Sequence, residues 1–248
     1  MCGRFNIISS PLTQFIMSII EEHGSSEQAV QNAGSGDVLK LETRYNISPT
    51  DQVPVILRSS DNKLLVRDMR WWFVPAWTRQ IESKYTMFNA RSESLKTSRA
   101  FQTAYKRRRC IIPASGYFEW QKIGSKKYPY YLHPDSSPGF AFAGLWEAWQ
   151  GKTPEGERVS LESCTVITSA APVELKEIHS RIPVYLMPEE IGVWLNEFST
   201  EDALSKVLVP CHKMPISVTP VSSYVGNSKN KGSQCISAVA EARIIFPL

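Results

Sequence analysis

The sequence lacks the cysteine pairs from which disulfide frameworks and zinc sites are built. Its five Cys residues are widely spaced, no CxxC occurs, and the only close Cys-His pair is Cys211-His212. An odd number of isolated thiols predicts neither a disulfide framework nor a metal site. We expect no metal and no cofactor, and reduced thiols of this kind are typical of a cytoplasmic protein.

Long apolar segments, internal repeats and low-complexity tracts are also missing. No secretory apolar region follows Met1, and no apolar run is long enough to span a bilayer. Charge of neither sign dominates, since 28 basic residues face 24 acidic ones for a net charge of +4. This balance by itself indicates no nucleic-acid partner, although basic residues cluster between Arg99 and Arg109. We expect no membrane partner.

Apolar residues, at 42% of 248 positions, are ample for a packed core. Two polar stretches, residues 23–37 and 150–158, do not separate two self-sufficient cores, so the sequence predicts one domain over residues 1–248. Helical spacing of apolar residues predicts four helices. The first has Ser10 as N-cap, Pro11 at N1 and an end at Gly24. The others are predicted over Ser98–Arg108, Pro188–Phe198 and Thr200–Val207.

Between the helices the sequence is rich in β-branched and aromatic runs bounded by Gly, Pro, Asp or Ser. Strands outnumber helices and do not alternate with them, which favours an α+β fold. We expect a mixed, mostly antiparallel sheet that curls toward a barrel, with peripheral helices. The predicted strands are Val53–Leu57, Leu64–Phe73, Cys110–Pro113, Tyr117–Gln121, Tyr128–Leu132, Phe140–Trp149 and Cys164–Ile167.

Cys2 is the residue with the most distinctive chemistry. Removal of Met1 would leave an N-terminal cysteine, whose amine and thiol titrate near ~8 and ~8.5. The amine can form a Schiff base with an aldehyde, and the thiol can then close a five-membered thiazolidine. An internal cysteine cannot do this because its nitrogen is an amide. The competing interpretation is a small residue in a frayed terminus.

Four further segments carry polar side chains that could serve a site. Asn46 lies in a polar turn, Asn89 and Arg91 would share one side of an extended segment, and Glu119 lies among aromatics that could raise its pKa. His179 is placed at the end of a short predicted helix. Each also fits an ordinary role as a turn former, a solvated strand residue or a helix cap.

Eight motifs follow one another along the chain up to about residue 232: MCGR, YNISP, WWFVPAW, NARSE, TSRAF, GYFEW, IHSRIP and VGNSKNKG. Together and in this order they resemble the SOS-response-associated peptidase (SRAP) family of abasic-site-processing proteins. The two polar stretches and the tail after about residue 233 match nothing in the family.

The resemblance implies a covalent chemistry on abasic sites in single-stranded DNA, through a thiazolidine with Cys2 that shields the lesion. It assigns proton transfer to Glu119 and His179, with His179 also reversing the link, and positioning of the sugar or the cysteine to Asn89. The family name also implies a peptidase activity, which here amounts to removal of Met1. The protein would be cytoplasmic and nucleoid-associated when bound to DNA. Side chains expected to contact DNA are Arg4, Asn46, Trp71, Trp72, Arg91, Arg99 and Trp120.

Two other functions fit parts of the sequence. An N-terminal-nucleophile hydrolase would use Cys2 against an amide, with its own amine as base. A single-stranded nucleic-acid-binding module without chemistry would use the arginines and tryptophans alone. An aldehyde probe separates the first from abasic-site chemistry, and mass spectrometry for a covalent adduct separates the second.

Overall fold

A computed structural model describes residues 2–24, 41–81, 85–152, 156–209 and 213–247. Most of the polar stretch at 23–37, part of the stretch at 150–158 and the pair Cys211-His212 therefore lie outside the described residues. The described helices are α1 (Ser9–His23), α2 (Gln102–Arg107), α3 (Pro188–Leu195) and α4 (Glu201–Val207). None of them is long and apolar enough to cross a membrane.

The described strands include every run predicted from the sequence, mostly with longer bounds, and several short strands that the sequence pattern does not reveal. They are β1 (Phe5–Ile7), β2 (Arg44–Ile47), β3 (Gln52–Arg58), β4 (Leu64–Arg70), β5 (Asn89–Arg91), β6 (Arg109–Ala114), β7 (Gly116–Ile123), β8 (Lys126–Pro134), β9 (Phe140–Lys152), β10 (Arg158–Ala170), β11 (Arg181–Pro183), β12 (Tyr185–Leu186), β13 (Ile216–Pro220) and β14 (Arg243–Ile245).

Five of these strands close into a barrel, in the order β10-β4-β3-β6-β9 and back to β10. The long antiparallel pair of β9 and β10 provides one seam, and a short parallel contact of Ser163 with Arg70 provides the other. Closure removes the unpaired edges of these strands. The α+β architecture with a mixed sheet curled into a barrel, predicted from the sequence, is confirmed.

The second sheet has the order β14-β13-β8-β7-β1-β2 and packs against the barrel. In its strand β1, Phe5 lies opposite Tyr117 of β7 and Ile47 of β2. The Phe5 ring meets Trp71 edge-on at a centroid distance of 4.9 Å, so that both sheets share one hydrophobic core. The tail after residue 233 contributes β14, which pairs with β13.

Helix α1 begins before the predicted cap. Ile8 occupies the N-cap position without a side-chain cap, and Ser9 is already helical. Hydroxyls from elsewhere accept the terminal N–H groups instead: Ser115 Oγ from Ile8 at 2.8 Å and Thr43 Oγ1 from Ser9 at 3.1 Å. The role predicted for Ser10 was therefore wrong, because tertiary partners satisfy donors that a local cap would otherwise take.

The other helices are shorter than predicted. Residues before Gln102 form turns rather than the first part of α2, and α3 ends at Leu195 rather than Phe198. The Asn196 side chain accepts the Phe198 N–H at 3.0 Å, which satisfies that donor outside a helix. The short helix expected to end at His179 is replaced by successive turns over residues 173–178.

One buried cation joins two helix ends. Arg109 is 6% exposed, and its guanidinium donates to carbonyls in the last turns of α2 and α3. The acceptors are Tyr105 O at 2.6 Å, Lys106 O at 2.8 Å, Trp194 O at 2.7 Å and Asn196 O at 2.6 Å. Carbonyls at helix C-termini lack intrahelical donors and carry partial negative charge, which suits a guanidinium.

Candidate active site

The N-terminal segment enters the protein along β7 and ends in a buried cysteine. Beyond β1, the Phe118 N–H donates to Arg4 O at 2.9 Å, so the strand pairing extends toward residue 2. Cys2 is fully buried, and its thiol points to Arg4 O at 3.8 Å. The structure thus holds Cys2 in a fixed position rather than in a frayed terminus.

Asn89 is a direct partner of this cysteine. It lies on β5, which pairs in parallel with β10 through Asn89 and Val166. Its side-chain Nδ2 donates to Cys2 O at 2.8 Å. The Asn89 Oδ1 is buried and accepts no hydrogen bond from the residues that the structure describes. This amide therefore fixes the cysteine and keeps an acceptor available beside it.

Glu119 lies on β7, close enough to Cys2 for its charge to affect the thiol, and it is 3% exposed. Burial raises the pKa of its carboxyl to about 7, because the apolar surroundings disfavour the charged form. Burial also raises the pKa of the Cys2 thiol, and the nearby Glu119 charge adds to that increase. A carboxyl that titrates near neutral pH can both donate and accept protons.

His179 follows the turns at 173–178 and precedes β11. Its Nδ1 lies 3.0 Å from the Arg181 backbone N–H, which can donate to it, and 3.2 Å from Arg181 O, so the backbone of Arg181 fixes the orientation of the ring. Burial lowers the pKa of His179, so the imidazole is neutral at neutral pH. The Arg181 guanidinium forms a bidentate pair with Glu93, at 2.7 and 2.9 Å, next to β5. The predicted position of His179 at a helix end was wrong, since turns precede it.

Arg4 and Asn46 hold the protein's own backbone. Arg4 Nη1 donates to Asn46 Oδ1 at 2.9 Å and to Val225 O at 3.0 Å. Asn46 is fully buried, and its Nδ2 donates to Val225 O, Asn227 O and Asn230 O. The DNA contact predicted for Asn46 is thereby contradicted, and the Arg4 guanidinium is already engaged by internal acceptors.

The tryptophans predicted to stack on bases have different environments. Trp71 is fully buried, and its Nε1–H donates to Phe88 O at 2.9 Å, so it has no face for a base. The stacking role predicted for Trp71 was wrong, because it belongs to the core. Trp72 and Trp120 are half-buried and retain accessible surface.

Arg91 and Arg99 are exposed, as a phosphate contact requires. The Arg99 guanidinium lies 4.5 Å from the ring centroid of Trp77, which is 53% exposed. Sequence reasoning missed Trp77 although it belongs to the WWFVPAW motif. The motif alone does not reveal this exposure, because it contains both the buried Trp71 and the exposed Trp77.

Lys231 was also missed. Its Nζ donates to Asn46 O at 2.6 Å and lies 3.4 Å from Asp51 Oδ2, so it ties residues 222–236 to β2. No group of three or more His, Cys, Asp or Glu side chains is placed to hold a metal ion in the described part of the chain.

The comparison with protein-family models decides the family. The model of the SOS response associated peptidase (SRAP) family matches residues 1–228.

The chain belongs to the SRAP family.

Curated SRAP relatives match over nearly the whole chain. Abasic site processing protein YoqW of Bacillus subtilis is 33% identical over 238 residues, which cover 95% of this chain and 99% of that protein. Abasic site processing protein YedK of Escherichia coli is 33% identical over 244 residues, which cover 96% of this chain and 100% of that one. Abasic site processing protein HMCES of Xenopus tropicalis is 30% identical, with 84% and 70% covered.

Solved structures support the fold. A crystal structure of a protein from Bacteroides thetaiotaomicron has a TM-score of 0.76 and 22% sequence identity, and covers 96% of this chain and 100% of that one. A second, from Bordetella bronchiseptica, has a TM-score of 0.68 and 20% identity, covering 89% and 100%.

Proposed function

We propose that this SRAP protein processes abasic sites in single-stranded DNA by a covalent link through Cys2. The observation that carries the proposal is the buried Cys2, held by Asn89 at 2.8 Å and close enough to Glu119 to feel its charge. The curated relatives that match nearly the full chain are named as abasic site processing proteins. Removal of Met1, by the protein itself or by an aminopeptidase, precedes the reaction.

The chemistry balances without an oxidant or reductant. In the closed abasic sugar, the C1′ hydroxyl loses a proton and the ring oxygen gains one, which opens the ring to an aldehyde. The Cys2 amine adds to this carbonyl and expels one water to give a Schiff base. The thiol then adds across the C=N bond, with sulfur on carbon and the proton on nitrogen, and forms the thiazolidine.

The residues around Cys2 suit these proton transfers. Glu119, with a pKa of about 7, exchanges protons with the sugar oxygens during ring opening and imine formation. The neutral imidazole of His179 assists proton transfer and the reverse reaction. The buried Oδ1 of Asn89 is an acceptor for a sugar hydroxyl. Arg91 and Arg99 bind phosphates, and Trp72 and Trp120 stack on the flanking bases.

Intact-mass measurement tests the proposal. Mature protein mixed with single-stranded DNA that carries one abasic site should gain the oligonucleotide mass minus one water. Cys2→Ala should give no stable adduct, and Cys164→Ala, which removes another buried thiol, should react like wild type. A stable adduct in Cys2→Ala contradicts the proposal. Cleavage of an amide probe without an aldehyde adduct would favour the hydrolase, and tight binding without any adduct would favour a binding module.

A further inference from the structure

The hairpin formed by β7 and β8 carries unbalanced positive charge. Lys122 and Lys127 are directly opposite each other in the pairing register, and Lys126 is opposite Ile123. All three lysines are exposed, and none forms an ion pair within the part of the chain that the structure describes. Like charges that face each other across two strands are destabilising. A bound anion would relieve this repulsion.

One face of the hairpin continues directly from the candidate active site. Side chains alternate along a strand, and residues paired across an antiparallel register share a face. Glu119 faces Tyr130, Gln121 faces Tyr128, and the tip residue Ile123 lies about 13 Å beyond Glu119 at the usual strand rise. The row therefore leads from the proton-transfer residue past Tyr130 and Tyr128 to Lys126 at the tip, whereas Lys122 and Lys127 lie on the opposite face of the hairpin.

Aromatic surface accompanies the charge along this row. Tyr128 is 43% exposed, whereas three other tyrosines on strands, Tyr117, Tyr131 and Tyr185, are buried. Tyr130 is half-buried, and its hydroxyl donates to Gln121 Oε1 at 3.0 Å, which fixes both side chains beside Glu119. On the opposite face, half-buried Trp120 precedes Lys122. Aromatic rings interleaved with cations are the combination that binds single-stranded nucleic acid.

We propose that the β7–β8 hairpin is a second DNA-binding surface, which takes the nucleotides that flank the lesion on one side. Tyr128 stacks on a base, and Lys126 on the same face contacts a phosphate. Lys122 and Lys127, on the opposite face of the exposed hairpin tip, contact phosphates where the strand passes the tip. The inference rests on the proposed function for the position of the lesion at Cys2. An acidic peptide would also satisfy the lysines but would give the exposed Tyr128 ring no flat partner, so single-stranded DNA fits better.

Binding measurements with undamaged single-stranded DNA test the surface independently of the chemistry. In a Cys2→Ala background, the variant K122Q/K126Q/K127Q should lose up to three phosphate contacts. Its logarithmic salt slope should be shallower by about 0.7 per lysine, or roughly 2 in total. Tyr128→Ala should weaken binding by roughly 5- to 150-fold at fixed salt. Lys63→Gln, on the β3–β4 hairpin, is the matched control and should change neither value.

Oligonucleotides with the abasic site near one end test the placement. One substrate extends only on the 5′ side of the lesion and the other only on the 3′ side. The hairpin variants should weaken binding of one substrate and leave the other unchanged. Equal losses on both, or an unchanged salt slope and unchanged affinity in folded variants, overturn the inference. A wild type that forms no adduct, combined with lysine variants that bind weakly, would refute the proposed chemistry and leave the hairpin surface standing.

Discussion

The pKa of the Glu119 carboxyl is determined by its buried surroundings. A strand glutamate in water has a pKa near 4.3, whereas burial beside Cys2 raises the pKa of this carboxyl to about 7. At neutral pH the residue is thus divided between acid and base forms, as a group that gives and takes protons in successive steps requires. A raised pKa was predicted from the aromatic neighbours in GYFEW, but Phe118 and Trp120 lie on the other face of β7, so the burial of Glu119 arises from tertiary packing.

Glu119→Gln should slow adduct formation by about 10²-fold, the usual contribution of general acid-base catalysis. The amide keeps the size of the side chain, so DNA affinity should remain nearly unchanged. Single-turnover crosslinking from pH 5 to 9 measures the rate. Wild type should show an inflection near pH 7 that Glu119→Gln lacks. A wild-type rate in the folded variant would reduce Glu119 to a structural role.

The same carboxyl should make folding stability depend on pH. Its pKa is raised in the folded protein, so between about pH 4.5 and 7 the folded state holds a proton that the unfolded state releases. The free energy of unfolding therefore falls as pH rises through this window, by up to about 3 kcal/mol. Urea unfolding at pH 5 and pH 8 should show this loss in wild type and a smaller one in Glu119→Gln. Equal pH dependence in both proteins would mean that Glu119 is already ionised in the fold.

At the scale of elements, Arg109 stabilises two helices that are otherwise short. The α2 and α3 helices have six and eight residues, too few to be stable alone. Four carbonyl acceptors at their ends converge on one guanidinium. The sequence placed Arg109 in a basic cluster and did not distinguish it from its exposed neighbours, because the second helix end comes from residues far along the chain.

Arg109→Met should therefore destabilise the fold by about 3 kcal/mol or more, because it leaves several buried carbonyls without donors. Arg107→Met removes an exposed charge from the last turn of α2 and should change stability by less than about 0.5 kcal/mol. The free energy of unfolding in urea measures both variants. Equal stability of the two would show that water replaces the guanidinium at the helix ends.

Most helices and strands of this fold could be predicted from the sequence, but their first and last residues could not. Strands such as β3, β6 and β9 follow from β-branched and aromatic runs. Strands β1, β5 and β11 have three residues each, too few for an alternating pattern, and they exist because a neighbouring strand offers its edge. These short strands carry or flank Cys2, Asn89 and His179, so the geometry of the site depended on tertiary pairing.

At the scale of the whole molecule, two features could not be predicted from composition: the closure of the barrel and the identity of the side chains that remain exposed. The pairing of β10 with both β9 and β4 closes the ring over long sequence separations. In the packed structure Trp71 is buried against Phe5 and Phe88 while Trp77 is exposed, a difference that their shared aromatic motif could not reveal. The family was predicted correctly from the set of motifs, whereas the side chains that remain available to a ligand emerge only from the packed structure.

The salt dependence of DNA binding should separate exposed from internal arginines. Arg91→Ala should make the logarithmic salt slope shallower by about 0.7 and weaken binding to every flanking sequence alike. Arg4→Ala should leave the slope unchanged and slow crosslinking, because Arg4 holds residues 225 and 226. Fluorescence anisotropy over a salt series measures both, and duplex DNA continuous through the lesion should bind worse. A slope that Arg4→Ala alone changes would reverse these assignments.

The bond between Arg4 and Val225 has a consequence for biosynthesis. The two residues are 221 positions apart, so a ribosome that adds about 5–20 residues per second makes the second one roughly 10–45 s after the first. Until then, the segment that carries Cys2 lacks this one anchor, although Asn89 and β7 are already made. A nascent chain therefore carries the Cys2 thiol for that time without the contact of Arg4 to residue 225, and the arrangement of the N-terminal segment is completed only after Val225 has been added.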